Sequence, residues 1–269
     1  MQLGAPLARG SRSIVHEFGP GAVAKVPLPG TPEGWIRFEA IYTEAVAGCG
    51  VAVPRVLGIE VIDGRDVSIF ERIDGPTMWD ALLHDPSSAR ALGVQLAALH
   101  VQLLAVTPPI TLPSQRARIR TKIAEAARHV DPSIARFAER IPEPSGRVAL
   151  CHGDFHPKNI ILSNSGPVVI DWFDASRGDA AADVARTSIL MRVSPESDTL
   201  TAGHLPGASS TVLDALHTYY LDAVMTATST SNDDIAPWRI VQIAARLSEG
   251  VERELLLQEL TQSDSLSPG

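Results

Sequence analysis

Up to about residue 75, apolar and polar positions mostly alternate with the period of strands. Residues 11–27 read as two short strands around a turn at Gly19-Pro20-Gly21, with Ala22–Val26 forming the second. Residues 55–62 and 65–73 give two more, joined by Asp63-Gly64. Between these pairs the pattern predicts one helix, from Thr31 to about Gly48. Thr31 is its N-cap, Pro32 takes the first helical position, and Glu33 sits at the positive end of the dipole. On a helical wheel Trp35, Phe38, Tyr42, Ala45 and Val46 share an apolar face, with Glu39 on its edge and Glu44 opposite. Turn residues at 71–76 then end the strand pattern. Beyond them Thr77 caps a short helix, and Asp85-Pro86 open a longer one striped by Leu92, Leu96, Leu99 and Leu103, with His100 beside the stripe as a structural histidine. Two amphipathic helices fill 115–141, further helices cover 180–192, 209–226 and 236–259, and 261–269 reads as a frayed tail. The chain is therefore α+β. Residues 1–74 form a small β-rich lobe with one helix, and residues 75–269 a larger helical one.

The helical part is interrupted by His152–Asp171, HGDFHPKNIILSNSGPVVID. Ile160-Ile161-Leu162 and Val168-Val169-Ile170 are apolar runs around the turn residues Ser163-Asn164-Ser165-Gly166, which makes a hairpin. Folding it back sets Asp171 beside Asn159. Two oxygen donors placed this way suit Mg²⁺, which takes one or two protein carboxylates and completes its shell with phosphates and water. Asp154, five residues before Asn159, gives the Asp/Asn spacing of a kinase catalytic loop, in which the Asp takes a hydroxyl proton and the Asn holds metal. The same residues admit another reading, since His152, Asp154 and His156 alternate like a hydrolase metal cluster. The other histidines form no second motif with ligand spacing.

A carboxylate turned inward at Glu39 needs a partner, and Lys25 on the preceding strand is the obvious one. A strand lysine paired with a helix glutamate is how kinases hold nucleotide phosphates; the alternative for Lys25 is a snorkelling surface side chain. Gly19 and Gly21 fit a hairpin turn better than a phosphate loop. Arg9-Gly10-Ser11-Arg12-Ser13, small and polar around Gly10 and Ser11, is the better candidate for covering an anion.

At 45% hydrophobic and 20% charged the composition is that of an ordinary globular protein. No apolar run approaches a membrane span, and the first residues lack the apolar stretch of a secretory signal. Cys49 and Cys151, in apolar surroundings, read as buried thiols of a cytoplasmic protein. A net charge of −8 argues against nucleic acid as a partner. From Ser176 onward 13 acidic residues face 6 basic ones, which favours a cationic small molecule; a merely solvated acidic face is the alternative.

The order of these features, strands with Lys25, a helix with Glu39, a boundary near Glu71, then helices around HGDFHPKN and IDW, resembles the aminoglycoside phosphotransferase family. AVAKV at 22–26, VAVPRVLG at 51–58, FERIDG at 70–75, LAALH at 96–100 and GDAAADVAR at 178–186 are similar too. The resemblance implies a bilobal protein-kinase-like fold and an Mg²⁺-dependent transfer of the γ-phosphoryl of ATP or GTP to a hydroxyl of a small molecule. It implies Asp154 as the catalytic Asp and Asn159 and Asp171 as Mg²⁺ ligands. Lys25 would contact the nucleotide phosphates, with Glu39 orienting it, and Glu71–Ile73 would form a hinge whose backbone, at Glu71 and Ile73, meets the adenine edge. His152 would brace the loop and Asp183 would pair with it. Trp172 stands where protein kinases carry Phe-Gly, which is usual for this family and speaks against a protein substrate. The acceptor is an aminoglycoside or other cationic antibiotic in one reading, and an amino alcohol, amino acid or sugar metabolite in another. A kinase-like module that binds nucleotide without transferring anything is the third, against which stands the intact set Lys25, Glu39, Asp154, Asn159 and Asp171.

Overall fold

A computed structural model describes residues 3–32, 34–144, 146–193, 209–250 and 253–265. Their elements in chain order are β1 (Pro6–Arg9), β2 (Ser13–Glu17), β3 (Ala22–Pro27), α1 (Trp35–Ala47), β4 (Val56–Ile62), β5 (Arg65–Glu71), α2 (Met78–His84), α3 (Ala89–Leu104), α4 (Gln115–His129), β6 (Ala149–Cys151), β7 (Ile160–Ser163), β8 (Gly166–Val169), β9 (Ser176–Gly178), α5 (Ala180–Val193), α6 (Ser209–Thr228), α7 (Asn232–Arg246) and α8 (Arg253–Ser265). They group into two compact units. One comprises Met1–Ala81 with Pro157–Ala175, the other Leu82–His156 with Ser176–Gly269.

In the first unit five antiparallel strands follow the order β1-β2-β3-β5-β4. Phe18, Ala22, Ala24, Val26, Val67 and Ile69 form a core cluster there. Asp63 and Gly64 both take positive φ, 48° and 73°, as a two-residue hairpin turn requires. The Ser68 hydroxyl donates to Ile36 O (3.0 Å), tying α1 to the sheet. The β7–β8 hairpin belongs to this unit: Leu162 N–H donates to Pro76 O (2.8 Å) and Val169 N–H to Ala52 O (3.0 Å). Gly75, at φ 147°, passes so close to the Leu162 carbonyl that a Cβ there would collide with it. At Thr77 the expected cap is present as a reciprocal pair, Asp80 N–H to Thr77 Oγ1 and Thr77 N–H to Asp80 Oδ2.

In the second unit α5 is buried on all sides from Ala181 to Met191. α3 packs on α6 where Gly93 lets the Leu216 carbonyl approach. β6 pairs with β9 antiparallel, Cys151 opposite Ser176.

Several expectations need correction. A strand precedes the first pair, since Pro6–Arg9 joins the sheet as β1; its four residues are all exposed, so no apolar alternation marked it. α1 begins at Trp35 after Gly34, which takes φ 78°, and not after Thr31. The Thr31 hydroxyl donates instead to Arg12 O (2.7 Å). Glu33 lies outside the described residues. The buried face of α1 is Trp35, Ile36, Glu39, Ala40, Thr43 and Val46, while Phe38 is 50% exposed. Phe38 stacks on Tyr42 at 6.0 Å on the outer side, so Glu39 stands in the middle of the inner face. Cys49 is exposed; only Cys151 is buried. The segment after Asp131 is a 3₁₀ stretch, Pro132–Arg140, and a short 3₁₀ turn at Pro86–Ser88 precedes α3. The single helix foreseen over 236–259 is two: α7 starts at a Ser231–Asp234 capping box, and Gly250, at φ 74°, ends the turn that follows it. α8 then runs to Ser265, so 261–265 are helical; the rest of the foreseen tail lies outside the described residues.

Candidate active site

In the first unit the alternation of β3 turns Lys25 inward, buried to 8% exposure. Its Nζ lies 2.6 Å from Glu39 Oε1 and 3.2 Å from Asp171 Oδ1. The partner inferred for Glu39 is therefore formed. The ammonium also stands 5.0 Å from the centroid of the Trp35 ring, which packs against Phe173 at 4.8 Å. Ile160 pairs with Val169 in the hairpin, and Ile170 N–H donates to Asn159 O (3.0 Å), so the two strand ends close on each other and Asp171 follows directly. Asp171 adopts φ 66°, a left-handed conformation that a non-glycine residue holds at a cost of about 1–3 kcal/mol. Asn159 is buried at 7% exposure. Hard oxygen donors at neighbouring backbone positions are the donor chemistry that Mg²⁺ takes, so these residues fit that ion.

The charges here are unequal. Burial opposes the Lys25 charge, but Asp171 and Glu39 outweigh it and hold the ammonium above its ordinary value. Burial drives Glu39 the other way, up to about 7, with Asp171 adding to the rise and Lys25 opposing it. One cation is shared by two anions, and the more deeply buried anion, Glu39, is the harder to ionise. Glu39 Oε2 is buried with no hydrogen-bond partner.

In the second unit Asp154 follows β6, its side chain 30% exposed. His156 Nε2 stands 3.5 Å from Asp154 Oδ2 and Arg186 Nη2 3.8 Å from Oδ1. Burial works against the Asp154 charge, yet His156, Arg186 and His152 outweigh it and hold the carboxyl well below the ordinary carboxylate range. The loop is braced from behind. Asp183 accepts from the backbone N–H of His152 (2.8 Å) and of Gly153 (2.9 Å), and its Oδ2 is 3.1 Å from His100 Nε2. His100 Nδ1 in turn meets the Tyr220 hydroxyl at 2.7 Å, and its ring stacks on Phe155 at 4.3 Å. His152 is fully buried and its Nδ1 accepts from the Asp154 N–H (3.2 Å), so it serves the loop and is not turned out as a metal ligand. Among the described residues no group of three or more His, Cys, Asp and Glu is placed to hold a metal ion.

The remaining candidates lie on the β1–β2 turn and at the end of β5. Gly10 and Ser11 lie exposed in the β1–β2 turn, where Gly10 N–H is spent on Ser13 O (2.9 Å). Glu71 ends β5 with its N–H on Arg55 O (2.8 Å), Arg72 N–H reaches Gly21 O (2.9 Å), and Ile73 follows, half-buried. Sequence reasoning passed over Trp35 and Phe173 as contacts of the lysine cluster, and Arg186 and Glu249 near Asp154. An arginine in the middle of the apolar stretch of α5 was the available signal.

A sequence model described as the phosphotransferase enzyme family matches residues 12–219. The chain belongs to that family. No curated protein matches it. Among solved structures it is similar to an aminoglycoside-3'-phosphotransferase of type VIII, at 18% identity over 91% of this chain and 93% of that one, with a TM-score of 0.63. It is similar also to aminoglycoside phosphotransferase APH(4)-Ia, at 16% identity over 100% and 94%, TM-score 0.62. A third is APH(3'')-Id from Streptomyces rimosus, at 20% identity over 87% and 92%, TM-score 0.54. These likenesses establish the protein-kinase-like α+β fold, with an antiparallel sheet in the N-terminal part and helices in the C-terminal part. With the family they make this protein a phosphotransferase. No helix among the described residues is long and apolar enough to cross a membrane.

Proposed function

We propose that this phosphotransferase moves the γ-phosphoryl of ATP or GTP to a hydroxyl of a small molecule in a reducing, nucleotide-rich cytoplasm. Residues 1–74 would be the nucleotide lobe and 75–269 the catalytic and acceptor lobe. The observation that carries the reading is the buried Lys25, at 2.6 Å from Glu39 and 3.2 Å from Asp171, a cation held beside the residue pair suited to Mg²⁺. Lys25 would hold the nucleotide phosphates, oriented by Glu39. Asn159 and Asp171 would hold Mg²⁺, which when bound neutralises phosphate charge. The Gly10–Ser11 turn would cover the phosphates, and the backbone at Glu71 and Ile73 would meet the base. Asp154, ionised and partly open, would orient the acceptor hydroxyl and take its proton. Positioning and charge neutralisation carry most of such a reaction. A nucleotide is supported by solved relatives whose structures hold ADP or ATP.

For the acceptor we favour a cationic aminoglycoside or similar antibiotic, modified by O-phosphorylation. The acidic balance after Ser176 supports this, as do relatives solved with streptomycin, gentamicin and hygromycin B. The test is nucleotide consumption with Mg-ATP and Mg-GTP across aminoglycosides, other hydroxylated antibiotics, amino alcohols, amino acids and sugars, with Asp154→Asn beside the wild type. Turnover confined to cationic antibiotics and lost in the variant supports the reading. Turnover confined to a metabolite makes the enzyme a metabolic kinase. Tight nucleotide binding without transfer to any acceptor makes it a binding module.

A further inference from the structure

Arg186 has no part in the reaction as proposed, although α5 buries it to 3% exposure. Its guanidinium has two acceptors and faces a third oxygen. Nε donates to the carbonyl of Gly153, the residue before Asp154, at 3.1 Å. Nη2 stands 2.6 Å from Glu249 Oε1 and 3.8 Å from Asp154 Oδ1. Glu249 lies on the single turn Leu247–Glu249 after α7 and is gripped in turn by Lys122 Nζ of α4 (3.2 Å) and Arg246 Nη1 (3.0 Å). Arg186 reaches the loop, and side chains from α4 and from the end of α7 hold it there through Glu249.

We propose that Arg186 is a positioning residue for Asp154, and that Glu249 anchors the Arg186 guanidinium so that it fixes the loop without closing on the Asp154 carboxylate. This rests on the phosphotransfer reading of Asp154. The planar fork of arginine makes the arrangement possible, because one edge can hold a carbonyl while the other faces a carboxylate. The two carboxylates compete for Nη2, and the distances show which one holds it. Glu249 keeps the direct contact, and Asp154 stays 1.2 Å farther away, the difference of 3.8 and 2.6 Å. An Asp154 in direct ion pair with arginine would commit its lone pairs to the guanidinium; the longer distance keeps that contact loose. Lys122 and Arg246 already balance Glu249, so a purely structural role would not require Arg186 to reach Gly153.

The experiment compares wild type, Arg186→Gln, Arg186→Lys and Glu249→Gln for turnover, for the KM of nucleotide and of acceptor, and for melting temperature. The Asp154 carboxyl is titrated by ¹³C NMR, its signal assigned with Asp154→Asn. Folded Arg186→Gln should lose roughly 100-fold in kcat, the scale of a reacting group misplaced by about an ångström, with nucleotide KM nearly unchanged. Its Asp154 carboxyl should protonate at higher pH than in the wild type. Arg186→Lys should recover part of the turnover by restoring the charge without the fork. Glu249→Gln, which frees the guanidinium to close on Asp154, should raise the acceptor KM and lower kcat while leaving nucleotide KM alone, and it carries the test if Arg186→Gln does not fold. The inference is overturned by wild-type turnover in folded Arg186→Gln, by an unmoved Asp154 titration, or by losses that follow melting temperature with lysine no better than glutamine. If the wild type transfers phosphoryl to no acceptor, the phosphotransfer reading fails, and the carboxyl titration still decides whether Arg186 governs Asp154.

Discussion

Around Lys25 one buried cation faces two carboxylates, Glu39 and Asp171, whereas Asp154 and Glu249 share Arg186 and are further supplied by His156, Lys122 and Arg246. The two clusters respond in opposite directions. Burial with a surplus of anions pushes Glu39 up to about 7. Burial also opposes charge at Asp154 and Glu249, but a surplus of cations overrides it and holds both below the ordinary carboxylate range. An anion-rich cluster is suited to take up a divalent cation with its phosphates. A cation-rich one favours the ionised form of its carboxylate, the state the proposed base at Asp154 requires.

The contrast is broken most directly at Asp154. Asp154→Asn is expected to lower kcat by about 10²–10⁴-fold, the usual contribution of a positioned base, while calorimetry finds Mg-nucleotide binding close to that of the wild type. Unchanged turnover would remove Asp154 from its role. Asp171→Asn is expected to act on the other side. Calorimetry with and without Mg²⁺ should show the metal-dependent gain in nucleotide affinity reduced by at least ~10-fold, since even residues behind a metal ligand commonly contribute that much. A variant whose nucleotide affinity still responds fully to Mg²⁺ would separate the Lys25 cluster from metal binding.

Much of this contrast was legible in the sequence, and the missing part has physical causes. The hairpin carrying Asn159 and Asp171 could be read because two apolar runs enclose unambiguous turn residues. Lys25 could be read because a strand lysine between apolar neighbours has to find an anion. The setting of α1 could not. Thr31 looked like a cap but spends its hydroxyl on Arg12 O, and Phe38 looked like core, although the helix buries Glu39 with Trp35, Ile36, Ala40, Thr43 and Val46 and leaves Phe38 outside. Glu249 was invisible for a different reason. Its partners Lys122 and Arg186 are 127 and 63 positions away, and isolated charges read as solvated surface. The break at Gly250 was signalled by the glycine itself, whose positive φ ends the turn after α7.

Stability offers a gentler test than catalysis. Glu249→Gln leaves Arg186, Lys122 and Arg246 without their shared anion. Its side chain is 22% exposed, so the expected loss lies between the ~0–1 kcal/mol of surface pairs and the ~3–5 kcal/mol of buried ones, roughly 2 kcal/mol at pH 7. Because the folded-state pKa is depressed, this contribution is present above the ordinary glutamate range and is lost as pH falls through the lowered value. Melting curves of variant and wild type should therefore converge in acid.

Glu39→Gln should give the smallest change, and with the opposite pH dependence. The Glu39 pKa is raised from 4.5 to about 7, chiefly by burial, so its contribution is fully present below the ordinary glutamate range and is lost as pH rises through about 7. The wild type thus weakens relative to a neutral isostere as pH climbs. Glu39→Gln, which can still accept from Lys25 while Asp171 supplies the charge, should melt with the wild type near pH 4 and match or exceed it at pH 8, by about 1 kcal/mol or less. A gain at pH 8 here, set against a loss at pH 7 for Glu249→Gln, would mean that the ratio of cations to carboxylates, and not burial alone, decides the fate of a buried acid on this chain. A marked destabilisation of Glu39→Gln at pH 8 would instead make Glu39 a required anion and remove the surplus of negative charge from the Lys25 cluster.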